Sequence, residues 1–233
     1  MINLINGDCL EEMDKLIEQG IKVDCVITDP PYKITSRGNG GNSGGMFQKK
    51  EVNNGKVFKH NDIDIKDWIN KLYELLNENS HCYIMTNNKN IYHYLDVIKG
   101  TEFHYIKNLI WVKDNKIMGQ TYMSQFEYII MLRKGKHKRI NNCGTSDILE
   151  FKNRKMKDKD NKTIHDTEKP VELMKVLIEN STKENDIILD CFMGIGAVMV
   201  GCKNTNRNGI GIELDKGYFD IAKERLEGYN EYH

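Results

Sequence analysis

Proline is scarce in this sequence: Pro30, Pro31 and Pro170 are the only three in 233 residues. No Cys-x-x-Cys pair occurs, and the six cysteines, Cys9, Cys25, Cys82, Cys143, Cys191 and Cys202, stand singly, mostly inside apolar runs. That spacing argues against a disulfide framework and a structural zinc site, and reads as an intracellular, cytoplasmic chain whose cysteines are small core residues. No run approaches the roughly 18 to 20 apolar residues that a membrane span needs, so no membrane partner is expected. The first ten residues carry Asp8 and lack a basic start followed by an apolar run, so a secretory signal is not expected either. Charge of one sign is also missing: Lys plus Arg and Asp plus Glu both total 34. Taken alone, that balance argues against a nucleic-acid partner. What is present is 39% hydrophobic and 29% charged residues, enough apolar material for one large α/β domain in preference to two small ones.

Short apolar runs alternate with helical spacing along most of the chain. Ile2 to Ile5 reads as a strand, and Leu10, Met13, Leu16 and Ile17 share a helix face. Val23 to Thr28 is a second strand that stops at Asp29-Pro30-Pro31-Tyr32, because neither proline can donate to a ladder. Residues 33–60 follow as a long polar loop with a Gly-rich centre, a length that marks a lid or binding segment. A strong helix stripe runs from Ile65 to Leu76, then a strand from His81 to Thr86, and a shorter helix from Ile91 to Ile98. Strands near Tyr105 to Val112 and Phe126 to Leu132 have little helix between them and suggest an antiparallel hairpin at a sheet edge. From Arg133 to Lys162, eleven Lys or Arg stand against four acidic residues with little apolar periodicity, which reads as an excursion from the core. Helix Val171 to Asn180, strand Ile187 to Asp190, helix Ala197 to Asn204, strand Gly209 to Glu213 and helix Tyr218 to Leu226 complete the pattern. This alternation predicts a doubly wound, mainly parallel sheet covered on both faces.

Two constellations carry chemistry. Asp190-Cys191-Phe192-Met193-Gly194-Ile195-Gly196 forms a turn between a strand and a helix, where glycine lets the backbone approach a ligand and Asp190 can hold a cationic group. Glu213, 19 residues beyond Gly194, ends the next strand, where a carboxylate binds ribose hydroxyls. Met199 stands where a dinucleotide fingerprint would have its third glycine, which argues against a pyrophosphate. S-adenosyl-L-methionine, a nucleoside with a sulfonium and an amino group, suits these residues better. The second constellation is Asp29-Pro30-Pro31-Tyr32 at the carboxyl end of a strand. The Asp29 carboxylate and the Pro30 carbonyl make two acceptors that match the two donors of an exocyclic amine, and Tyr32 offers a face to stack its ring.

Together these motifs resemble the DNA amino-methyltransferases of the beta group. Asp29-Pro30-Pro31-Tyr32 is similar to that family's catalytic tetrapeptide, and Asp190 to Gly196 is similar to its D-P-F-x-G-x-G cofactor motif. His165-Asp166-Thr167-Glu168-Lys169-Pro170 resembles its H-x-T-x-K-P segment, so that His165, Thr167 and Lys169 would help hold the methionine part. The resemblance implies a Rossmann-like, seven-stranded-type methyltransferase sheet in circularly permuted order. The N-terminal strand would lie beside the cofactor strands, and Asp8, with Cys9, would approach the adenine of the cofactor. Cofactor contacts would come from Asp190, Phe192, Gly194, Gly196 and Glu213 as well. Cys191 departs from the family's proline, and Ile195 and Ala197 from its small polar residues.

On this view residues 1–132 form the catalytic half with loop 33–60, residues 133–164 a small target-recognition excursion, and residues 165–233 the cofactor half of the same domain. The implied partner is double-stranded DNA, with the target base flipped out. Cytosine C5 chemistry is excluded because no proline precedes a cysteine. Asp at position 29 resembles the adenine-N6 enzymes more than the cytosine-N4 enzymes, where Ser is frequent. Cytosine N4, an RNA or protein amino group, and a non-catalytic DNA-binding relative stand as alternatives; protein glutamine enzymes usually carry Asn where Asp29 stands. A homodimer is expected from the group's habit, and a restriction endonuclease partner is left open. His81, His93 and His137 read as structural or surface residues.

Overall fold

A computed structural model describes residues 1–31, 63–117, 121–154 and 168–228. Tyr32, loop 33–60, His165 and Thr167 therefore lie outside the described residues. The strands are β1 (Ile2–Asn6), β2 (Val23–Thr28), β3 (Leu76–Thr86), β4 (His104–Ile117), β5 (Ser124–Arg133), β6 (Ile148–Glu150), β7 (Ile187–Asp190) and β8 (Asn208–Glu213). The helices are α1 (Cys9–Glu18), α2 (Ile65–Leu75), α3 (Ile91–Lys99), α4 (Val171–Ser181), α5 (Ala197–Asn204) and α6 (Lys216–Glu227).

The strands form one sheet in the order β1-β8-β7-β2-β3-β5-β4-β6. Five of its seven pairings are parallel, and only β5 runs antiparallel to its neighbours β3 and β4. The N-terminal strand pairs in parallel with β8, so the permuted order expected from the motifs is the order of the sheet. β1, β2, β7 and β8 all end at one edge, at Asn6, Thr28, Asp190 and Glu213. Open α/β sheets bind ligands in the crevice beyond those ends.

Two apolar layers cover the sheet. One packs α1, α2 and α3 through Met13, Trp68, Leu72 and Ile98; the other packs α4, α5 and α6 through Leu177, Ile178, Met199 and Ala222. α2 forms where its stripe predicts, and a capping box starts it: Asp64 Oδ1 accepts from Lys66 N and Asp67 Oδ2 accepts from Asp64 N. Five of the cysteines are buried, and Cys143 is exposed. Among the described residues, no helix is long and apolar enough to cross a membrane.

The structure departs from the sequence reading in three places. β3 starts at Leu76, five residues before the expected His81, because its first residues are polar and carry no apolar period; Asn77 instead donates to Asp24 Oδ1 at 2.9 Å. The β4–β5 hairpin is antiparallel as expected, but β6 pairs outside β4 and takes the edge of the eight-stranded sheet. β6 comes from the basic segment, and it escaped detection because three residues, with only Leu149 buried, show no periodicity. The same segment is tied to α4, where Asn141 donates to the carbonyls of Glu179 and Thr182.

Candidate active site

The strand ends enclose a cavity of about 540 Å³, the size of a small-molecule site. Both sequence constellations face it. Asp8, Cys9, Asp29, Pro30, Pro31, Lys169, Asp190, Phe192, Gly194 and Glu213 all line this one space, although their positions span most of the chain.

The Gly turn is built by backbone geometry. Gly194 and Gly196 have φ of 55° and 81°, in the left-handed region that side chains disfavour. The turn is then fixed to the end of β8: Gly194 N donates to Glu213 Oε2 at 2.8 Å, while Glu213 Oε1 accepts from Asp215 N at 2.8 Å. A Cβ on Gly196 would lie 3.2 Å from Ala222 Cβ, so this glycine also lets α6 close on α5.

Asp190 is buried at the end of β7. Its Oδ1 accepts from Thr28 Oγ1 at 2.9 Å and from Phe192 N at 3.1 Å. Burial nonetheless pushes its pKa up to about 7, since the two hydrogen bonds offset only part of the desolvation. A buried carboxylate so placed is suited to a cationic ligand group. Burial also raises Glu213. Cys9 is pushed up to about 12 by burial and by Asp8, so it forms a neutral wall. Asp8 caps α1 by accepting from Leu10 N at 2.9 Å and Glu11 N at 3.3 Å. Cys191, in place of the motif's proline, is buried against Thr28 with Sγ and Oγ1 3.5 Å apart. Ile195 and Ala197 present apolar atoms to the cavity.

Asp29 follows β2 directly. Lys169 Nζ donates to its Oδ2, while its Oδ1 is buried with no hydrogen-bond partner in the described structure. Burial raises the pKa of Asp29 and Lys169 opposes that rise. Lys169, expected from its motif to help hold the methionine part of the cofactor, lines the same cavity and pairs with the Asp29 carboxylate. Pro31 and Pro30 lie beside Asp29 on the cavity wall.

Four participants escaped the sequence reading. Glu127 on β5 lies 3.5 Å from Lys169 Nζ and accepts from Lys113 of β4. Thr28 orients Asp190, and Arg225 of α6 pairs with Glu168 at 2.9 Å. None belongs to a motif; Glu127 and Lys113 are charges inside strands, and Thr28 and Arg225 carried no signal of that kind. His81, by contrast, is structural as expected: it contacts Ser181 Oγ at 2.9 Å, and burial lowers its pKa to about 4.

A Rossmann-like sheet with an Asp-Pro-Pro turn and an acidic Gly-turn motif on one cavity defines a methyltransferase-type site. Residues 23–224 match the N6/N4 DNA methylase family model, and the chain belongs to that family. Among its relatives, the Type II methyltransferase M2.DpnII of Streptococcus pneumoniae is 30% identical over 98% of this chain and 90% of its own. M.HinfI of Haemophilus influenzae is 26% identical over 96% of this chain and 67% of its own. The crystal structure of the M1.HpyAVI–SAM complex superposes with a TM-score of 0.73 at 29% identity, covering 97% of this chain and all of that one. PvuII DNA methyltransferase, cytosine-N4-specific, shares the fold with a TM-score of 0.72 at 13% identity.

Proposed function

We propose that this DNA methylase transfers a methyl group from S-adenosyl-L-methionine to the N6 amino group of an adenine flipped out of double-stranded DNA. The observation that carries the reading is the buried, unpartnered Oδ1 of Asp29 in the same cavity as Asp190 and Glu213. A buried acceptor left open costs free energy and implies a donor that arrives with the substrate. The cofactor brings a methyl group activated on a cationic sulfur. Asp190 suits its cationic methionine part, Glu213 its ribose and Asp8 its adenine end; His165 and Thr167 would assist by motif.

Asp29 Oδ1 and the Pro30 carbonyl accept the two N–H bonds of the amine and turn its lone pair towards the methyl carbon. As the nitrogen–carbon bond forms and the carbon–sulfur bond breaks, positive charge grows on nitrogen. The Asp29 carboxylate stabilises that charge until a proton departs. Tyr32 would stack on the flipped base. The family's homodimer is the expected state of the chain, and sedimentation velocity checks it.

The deciding experiment incubates the protein with methyl-labelled S-adenosyl-L-methionine and duplex DNA, followed by digestion to nucleosides. Label in N6-methyladenine is expected. Label in N4-methylcytosine, or none on DNA, overturns the reading.

A further inference from the structure

Behind Asp29 stands a chain of alternating buried charges. Lys113 of β4 donates to Glu127 Oε1; Glu127 Oε2 lies 3.5 Å from Lys169 Nζ; Lys169 donates to Asp29 Oδ2. The Lys113, Glu127 and Lys169 side chains are 5%, 14% and 6% exposed, so all three are desolvated. Lys113 Nζ also lies 5.0 Å from the centre of the Trp111 ring. The four formal charges alternate in sign and sum to zero, which offsets the cost of burying each.

We propose that Glu127 and Lys113 are positioning residues for Asp29. They hold the Lys169 ammonium on Oδ2, so that the carboxylate stays ionised in one orientation and presents Oδ1 to the target amine. A lysine has a flexible four-carbon stem, and one carboxylate would leave it free to swing; Glu127 Oε2, buried without a hydrogen bond among the described residues and 3.5 Å from Nζ, adds a second attraction that favours one position of the head. An ionised Asp29 accepts hydrogen bonds on both oxygens, whereas a protonated one turns one of them into a donor. The inference rests on the reading of Asp29 as the acceptor of the target amine.

The charged groups facing Asp29 are Lys169, Glu127 and Lys113, with Asp190 at the end of β7. Removing a neighbouring cation raises a carboxyl pKa, and removing a neighbouring anion lowers it. The test is kcat against pH at saturating cofactor and DNA, with S-adenosylhomocysteine affinity measured by calorimetry. Lys169→Met should lower kcat by about tenfold or more and move the acid limb up by about one pH unit. Its affinity for S-adenosylhomocysteine should stay within about threefold of wild type, and Lys169→Arg should restore the limb. Glu127→Gln frees the Lys169 head from Oδ2, so kcat should fall and the limb move up; a limb that moves down with kcat unchanged marks Glu127 as a bare Coulombic neighbour and overturns the proposal. If that variant fails to fold, Glu127→Gln with Lys113→Met removes both charges together and should shift the limb the same way. An acid limb unmoved by both charge removals, or a Lys169→Met loss confined to S-adenosylhomocysteine affinity, overturns the proposal. A wild-type protein that methylates no DNA amine overturns the parent reading instead.

Discussion

Asp29, Asp190 and Glu213 line one cavity, and each meets burial differently. Asp29 is met by the Lys169 ammonium, Glu213 by the amides of Gly194 and Asp215, and Asp190 by a hydroxyl and one amide. Burial raises all three, and it pushes Asp190 up to about 7. A cationic ligand binds its ionised form, so S-adenosyl-L-methionine affinity should weaken as pH falls below 7, approaching about tenfold per unit for one coupled proton. Asp190→Asn should weaken binding at pH 8 and flatten that dependence in a titration series from pH 5.5 to 8.5. The same group bears on stability with the opposite sign to a salt-bridged acid. Its folded pKa lies above the unfolded value, so the folded state binds the extra proton between about pH 4 and 7 and gains stability as pH falls through that window. Ligand-free Asp190→Asn should therefore melt about 5 °C or more above wild type at pH 8, the gap closing towards pH 4. For Asp29, Asp29→Ala should reduce transfer by about 10³-fold or more while calorimetry shows cofactor binding retained.

At the level of elements, the site depends on how β7 passes into α5. Two left-handed glycines turn the chain so that Gly194 reaches Glu213 and α5 starts at once. Gly196→Ala places a Cβ at φ 81° and 3.2 Å from Ala222 Cβ, which α6 must yield to accommodate. Urea denaturation should show a loss of about 1–3 kcal/mol, together with weaker cofactor binding from the displaced turn. Two lysines of the basic segment do different work. Lys134 donates to the Tyr73 and Leu76 carbonyls at 2.9 Å, and Lys138 to the Ser181 carbonyl at 3.0 Å, closing the C-terminal ends of α2 and α4. Cations there are favoured by the helix dipole and satisfy carbonyls that have no intrahelical partner.

Across the whole molecule, the zero net charge hides a division set by strand direction. β5 runs against β3, so Arg133, Lys134 and Lys138 emerge at the end of the sheet opposite the cavity. β6 runs parallel to β4, and Lys152 and Arg154 follow it at the cavity end, where Asn153 N donates to Asp114 Oδ1 at 2.8 Å. DNA binding measured against salt should therefore lose about two units of log–log slope in Lys152→Ala with Arg154→Ala. Lys134→Ala should leave that slope unchanged and lower unfolding stability by about 1 kcal/mol. The sequence by itself determined the helices and most strands, the parallel architecture and both constellations. Those features are local: apolar period, proline, glycine and an acidic residue at a strand end act within a few positions. The partners of Asp29 were decided only by tertiary structure. Lys169 stands 140 residues from it in sequence, and Glu127 and Lys113 meet it through the register of β4 and β5. The end of the sheet at which each basic residue emerges depends on strand direction. Both follow from long-range pairing, whose physical cause is the burial of two sheet faces at once and which no short window of sequence contains.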